Sequence, residues 1–354
     1  MRGRIDTHQH YVPPFYRDLL DAGGLTAGGW PTPAWSARGA LAMMDTRRIA
    51  TGVLSLSSPG VRLGDDAQAR DLARRANEHG AELVKDRPDR FGLFASLPLP
   101  DVDGALAELA YAFDVLGADG VVLMSSVQGT YPGDPAYAPL WAELDARRAV
   151  VFLHPDAPAI APLPGLPSPL VDFPFDTTRA AVHLVTSGTL RRRRHVRVLL
   201  AHGGGFLPYA AHRFTGAASL ASGSTPESIL ADLRRFWFDT ALASSPSSLP
   251  ALLAFADPGR ITFGSDHPYA PPEAPFTTML DEADLDPGTR AAIDRGNAER
   301  LLPRLGASGA SATDPTTPGR TERGSRRARW SLRRSTHHAA DAPDGGPART
   351  DGAR

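Results

Sequence analysis

Short apolar runs rich in Val, Ile and Phe alternate along this chain with longer segments whose apolar residues recur at helical spacing. The runs predict strands at Arg4–His8, Gly52–Leu56, Phe91–Leu97, Gly120–Met124, Val150–His154, Val196–Ala201, Phe236–Asp239 and Ile261–Ser265. Between them, Asp66–Lys85 places Ala69, Leu72, Ala73, Ala76, Leu83 and Val84 on one helical face, and Val102–Leu116 does the same with Val102, Leu106, Leu109, Phe113 and Leu116. Further helices are predicted over Leu140–Arg148, Thr177–Leu190, Ser247–Ala256 and Pro287–Leu302. Strands alternating with helices mean βα units and a parallel sheet. Eight such units in a body of this length predict an α/β fold, a closed (β/α)8 TIM barrel. An open doubly wound sheet is the alternative, but no glycine-rich phosphate turn follows the first strand.

The pattern stops near Gly306. Residues 307–354 lack large apolar side chains apart from Trp330 and Leu332, so they cannot offset their ordering entropy. The expected organisation is a single domain over 1–306 and a disordered, Arg-rich tail over 307–354. The tail holds nine Arg against five Asp and Glu, which leaves 29 basic and 34 acidic residues in the body. His337 and His338 fall in the tail and are not expected to be ligands.

Composition narrows the function. The chain has 42% hydrophobic and 22% charged residues and a formal charge of −1, which supports a large core and argues against a nucleic-acid or anionic-membrane binder. There is no cysteine, so any metal must sit on His, Asp or Glu. The N-terminal MRGRIDTHQH carries no apolar leader and no apolar run approaches a spanning length of about 18 residues, so a cytoplasmic location is expected.

The candidate chemistry lies at the strand ends. His8 and His10 in IDTHQH, His154 in VVFLHP, His202 in VLLAHGGG and Asp266 in ITFGSDHP all close apolar runs. Residues two apart on a strand face the same side, so His8 and His10 both point into the barrel mouth, and Asp6 shares their parity. An unpaired imidazole at the end of a buried run is costly, and a metal supplies the missing partner. Barrel enzymes build their sites at this end of the strands, so the five together predict a metal centre. Two long stretches, Tyr11–Ser36 and Pro155–Pro174, follow strands at the same end. Tyr11, Trp30, Phe173 and Phe175 from these stretches are candidate walls of a flat apolar substrate pocket.

These pieces resemble the amidohydrolase superfamily, and within it the branch that contains aminocarboxymuconate-semialdehyde, γ-resorcylate and 6-methylsalicylate decarboxylases. The matching segments are IDTHQH, RFGLFASLPLPD, ADGVVL, VFLHP, FPFDTTRAA, LLAHGGGFLPY and FGSDHPY, spread over about residues 4–305. The resemblance implies that His8, His10, His154 and Asp266 bind one divalent metal, zinc in most members and manganese in some. It implies that His202 is not a primary ligand but orients or deprotonates water at the metal. Binuclear relatives use a carboxylated lysine ending the fourth strand. Here that strand reads GVVLMSS, and the chain's only lysine is Lys85, which excludes a second metal bridged in that way.

The first chemistry these residues support is non-oxidative decarboxylation of a small aromatic or enol-type carboxylic acid, with Asp266 and His202 as the acid/base pair. Arg213, eleven residues past His202, matches a family position that reaches into the neighbouring subunit's site, which implies a homodimer and a partner for the substrate carboxylate. The segment SARGALAMMD has alanines where the aminocarboxymuconate enzyme carries a carboxylate-binding arginine, which favours a salicylate-type acid. The alternative is hydrolysis of a lactone, amide or C–C bond by metal-activated water. A non-catalytic binding barrel is a third reading.

Overall fold

The computed structural model describes residues 3–161, 163–270, 274 and 278–307. Its strands are β1 (Arg4–His10), β2 (Ile49–Ser55), β3 (Phe91–Ser96), β4 (Gly120–Met124), β5 (Val150–His154), β6 (Arg197–Leu200), β7 (Trp237–Asp239) and β8 (Ile261–Thr262). All pair in parallel in chain order. The ring closes between its first and last staves. The Thr7 N–H donates to Phe263 O at 2.9 Å, and the Asp266 N–H to His8 O at 2.8 Å. The fold is therefore a (β/α)8 TIM barrel, as the alternation of periods predicts.

The helices are α1 (Pro14–Gly23), α2 (Ala37–Thr46), α3 (Asp66–Asp86), α4 (Val102–Asp114), α5 (Ala138–Ala146), α6 (Ser168–Thr186), α7 (Thr189–Arg192), α8 (Leu207–Ser222), α9 (Pro226–Leu233), α10 (Ser248–Phe255), α11 (Met279–Glu282), α12 (Pro287–Ala291), α13 (Asn297–Leu301) and α14 (Pro303–Ala307). Local signals explain the clearest of them. A reciprocal capping box opens α3: the Gln68 N–H donates to Asp65 Oδ1 at 2.9 Å, and the Asp65 N–H to Gln68 Oε1 at 3.0 Å. Its buried face is Ala69, Leu72, Ala73 and Ala76, as expected from spacing.

Several expectations change. The long stretch after β1 is not one loop, since α1 occupies part of it. Pro14 opens that helix, Tyr16 and Leu20 bury its inner face, and left-handed Gly24 ends it. The Pro-rich stretch after β5 is also shorter, because α6 already begins at Ser168. The helices α8 and α9, between β6 and β7, lie in sequence that the spacing left unassigned. The single helix expected over Pro287–Leu302 is realised as α12, a π-helical turn over Ala292–Gly296, and α13.

Two apolar layers hold the barrel. One lies between strands and helices. The other fills the barrel, where Ile5, Val53, Phe94, Val122, Phe152 and Leu199 pack with Ala298, Leu301, Leu302 and Leu305 from the C-terminal helices. The inner ring is thus stoppered at its N-terminal end by α13 and α14. Arg304 fastens this stopper, with its Nε and Nη2 donating to Asp119 at 2.7 and 2.6 Å. The helix α14 runs through Ala307, and residues 308–354 of the expected tail lie outside the described residues. Among the described residues no helix is long and apolar enough to cross a membrane.

Candidate active site

Four of the barrel's staves deliver the polar cluster to its C-terminal end. His8, His154, His202 and Asp266 each offer one ligand atom, all within 4.8 Å of one another. His10 joins them: its Nε2 lies 3.0 Å from His8 Nε2 and 3.2 Å from Asp266 Oδ1. The convergence expected from strand ends is therefore present for all five residues. His8, His10, His154 and Asp266 are buried, and His202 is partly so.

The outer nitrogens of three imidazoles are committed. His8 Nδ1 lies 2.8 Å from Asp239 Oδ2, His10 Nδ1 lies 3.1 Å from Ser55 Oγ and 3.3 Å from Ser55 O, and His154 Nδ1 lies 2.8 Å from Pro155 O. Carboxylate and carbonyl oxygens only accept, so these Nδ1 atoms carry the protons and the Nε2 lone pairs turn inward. Lone pairs facing each other repel unless a cation lies between them. The acidic groups around His8 also favour positive charge at this point of the cluster. Burial pulls the His8 imidazole down, yet Asp239 and Asp266 outweigh it and raise it to about 10. Burial would raise Asp266, but the surrounding imidazoles hold it well below the usual carboxylate range. Burial and the neighbouring rings drive His154 well below the ordinary imidazole value. The centre of the cluster calls for positive charge, and its oxygen and nitrogen donors suit one divalent metal.

His202 differs from the other three. Its Nδ1 is buried with no hydrogen-bond partner, and its Nε2 lies 3.4 Å from Asp266 Oδ2. Its only side-chain partner is therefore the Asp266 carboxylate, which it faces through Nε2, while no backbone or side-chain group holds the Nδ1 edge as in the other imidazoles. Both residues sit on left-handed backbone, with φ of 54° at His202 and 58° at Asp266, a geometry that concentrates at functional sites.

A cavity of about 750 Å³ opens from His154, His202 and Asp266. Trp30 and Phe173 line it. Tyr11 does not: it is buried between β1 and α3, where its hydroxyl donates to Ala76 O at 2.8 Å and its ring stacks on His79. Phe175 also lies outside the lining, half exposed beneath the Arg179 guanidinium. Arg213 is exposed on α8 and does not line the cavity of its own chain. Asp6 does not orient an imidazole. Its Oδ1 accepts the backbone N–H groups of His8 and Ser265, tying β1 to the end of β8, and burial pushes its carboxyl up to about 7. A second cleft of about 750 Å³ lies at the barrel's opposite end, beside Arg4, Thr51 and Arg295, and no metal-ligand cluster among the described residues reaches it.

Three contributors are not apparent from the strand-end pattern alone. Asp239 closes the run FWFD in the way His154 closes VVFLH, so the same cue marks it. Ser55 acts partly through its carbonyl, which side-chain chemistry does not advertise. Tyr269 lines the cavity with its ring 5.5 Å from that of His10, and it sits inside the motif FGSDHPY.

Comparison with known proteins places this geometry. A family described as Amidohydrolase matches residues 5–304. The chain is 40% identical over 325 residues to a decarboxylase of Penicillium terrestre, covering 85% of this chain and 95% of the relative. It is 39% identical over 313 residues to the 6-methylsalicylic acid decarboxylase of Penicillium expansum, covering 85% and 97%. The crystal structure of a dihydroxybenzoic acid decarboxylase from Polaromonas sp. JS666, with bound manganese and the inhibitor 2-nitroresorcinol, superposes with a TM-score of 0.72 at 27% identity, over 86% of this chain and 97% of that one. A barrel of this topology, a His/Asp cluster at its C-terminal end and a match that runs almost the full length of the barrel lead to one conclusion: the chain belongs to the amidohydrolase family.

Proposed function

We propose that the protein is a metal-dependent carboxy-lyase that removes CO2, without oxidation, from a small salicylate-like aromatic acid. The observation that carries this reading is the convergence of three Nδ1-pinned imidazoles and the Asp266 carboxylate at the head of an apolar cavity, with His202 beside them held through Nε2 by Asp266 and not through its Nδ1. The names of the relatives support a carboxy-lyase over the hydrolase alternative.

In this reading His8, His10, His154 and Asp266 hold one divalent metal. When bound, the metal supplies a Lewis acid that draws charge from the acid's oxygens. Trp30 and Phe173 flank the ring and exclude water. His202 gives its Nε2 proton to the ring carbon that bears the carboxylate, and Asp266 Oδ2 aligns the imidazole. The C–C bond then breaks, its electron pair returns to the ring, CO2 leaves, and His202 regains a proton from solvent. Zinc fits three neutral imidazoles and one carboxylate, and manganese is the alternative found in the Polaromonas relative. Elemental analysis of purified protein, combined with CO2 release from 6-methylsalicylate and 2,6-dihydroxybenzoate, tests the reading. Turnover of lactones or amides with no CO2 from any acid overturns it.

The proposal includes a homodimer. Tyr209, Arg213, Gly216 and Leu220 fall at i, i+4, i+7 and i+11 on α8, and Tyr209 and Leu220 are each 89% exposed. An apolar stripe this open around one arginine suits a second copy of the chain. Sedimentation at micromolar concentration tests it, and a monomer there removes Arg213 from the site. The proposal also places the enzyme in the cytoplasm, which fractionation of cells producing it checks.

A further inference from the structure

We propose that the outer part of the cavity is a subsite for an alkyl substituent longer than methyl, so that the substrate class is a hydroxybenzoate with an extended apolar chain on its ring. This rests on the carboxy-lyase reading of the same site and adds to it.

Size is the first argument. A cavity of about 150 Å³ already accommodates benzene, whereas this one measures about 750 Å³, within the range of pockets that enclose far larger ligands. A single ring against the metal cluster leaves most of that space unused.

The spare space adjoins the chemistry. Gly203 follows His202 directly, at φ 64°, and a Cβ placed on it would come within 2.8 Å of the Ala243 Cβ and 3.7 Å of Leu252 Cδ2. The backbone beside the acid/base residue is thus packed onto the wall that leads outward along α10. Small side chains at Ala243 and Ala251 keep this arm open.

Its far wall is apolar and unsatisfied. Leu170, Phe206 and Leu242 line the cavity yet remain 58%, 42% and 45% exposed. A bound hydrocarbon chain would cover them and gain the hydrophobic free energy that water denies. Within this chain, charge weighs against an acidic substituent. No arginine or lysine is among the described lining residues, so a second carboxylate on the substrate would be buried without a cation.

The test uses metal-replete protein and a series of 2-hydroxybenzoates carrying methyl, propyl and pentyl groups at ring position 6. Both Kd and kcat/KM are measured. A fully buried methylene improves binding about fourfold. The expected result is a gain of tenfold or more from methyl to pentyl in Kd and in kcat/KM. Ala251→Phe is expected to lower the pentyl-to-methyl ratio of kcat/KM at least tenfold. Flat or falling values along the series overturn the subsite, as does a variant that lowers both acids equally. A chain-length gain in Kd with no CO2 from any acid supports the subsite and sinks the carboxy-lyase reading. CO2 release with no chain-length gain does the reverse.

Discussion

Asp239 is shared between two members of the cluster: its Oδ2 lies 2.8 Å from His8 Nδ1, while its Oδ1 accepts the backbone N–H of His202 at 3.0 Å. One carboxylate thereby sets the tautomer of His8, a proposed ligand, and holds the left-handed backbone of His202, the proposed acid/base residue. It also accepts the Ala241 N–H at 2.9 Å. An amide has only one accepting atom, so Asp239→Asn cannot keep all three bonds. We expect metal affinity to fall about 10- to 100-fold, the usual cost of losing the group that orients a ligand. A competitive chelator titration checks this, and unchanged affinity counts against the role.

In the proposed mechanism His154 and His202 separate ligation from proton transfer. His154→Ala removes an imidazole whose Nδ1 is pinned and whose Nε2 faces the cluster, and it is expected to lower metal content in the purified protein. His202→Ala is expected to keep most of the metal while turnover drops about 10²- to 10⁴-fold. Equal metal loss in both would make His202 a ligand, which its position within 4.8 Å of the others also permits.

Gly264 is fixed by its neighbours. A Cβ there would lie 2.8 Å from the His8 Cβ and 3.2 Å from the Cβ atoms of Ala241 and Asp239. Gly264→Ala should cost about 1–3 kcal/mol by overpacking and push His8 off Asp239. Thermal unfolding and metal content should fall together. A variant as stable and as metal-rich as the parent would show that this corner of the barrel yields.

His79 predicts the direction of an acid effect. Burial against Tyr11 lowers its pKa below the ordinary 6.5, so the fold favours the neutral ring. The unfolded chain binds the proton more readily, and this contribution to stability is present above pH 6.5 and lost as pH falls toward the folded value. His79→Gln should therefore lose less of its Tm between pH 7.5 and 5 than the parent does. Matching losses in the same buffers would assign the acid sensitivity to other groups.

The strand-end residues were legible because a polar side chain closing a buried apolar run is costly unless something at that position pairs with it. The substrate walls were not, for geometric reasons. Tyr11 directly follows His10, so it alternates to the outer face and meets α3 instead of the cavity. Phe173 and Phe175 are two apart on α6, and such residues do not share a helical face; only Phe173 reaches the cavity. The helix α1 was masked by the Pro and Gly density around it, although Pro14 and Gly24 are its own start and stop signals. Asp239 gave the same cue as His154 but sits on a strand of three residues, too short to carry a strong pattern.

The stopper formed by α13 and α14 bears on how the chain is made. Every strand leaves the ribosome before Leu301, Leu302 and Leu305 do, so a nascent barrel has its inner ring open to water from below until those leucines arrive. Synthesis order therefore makes the clasp of Arg304 on Asp119 one of the closing events of assembly, and a nascent chain halted short of it would present bare aliphatic surface to chaperones.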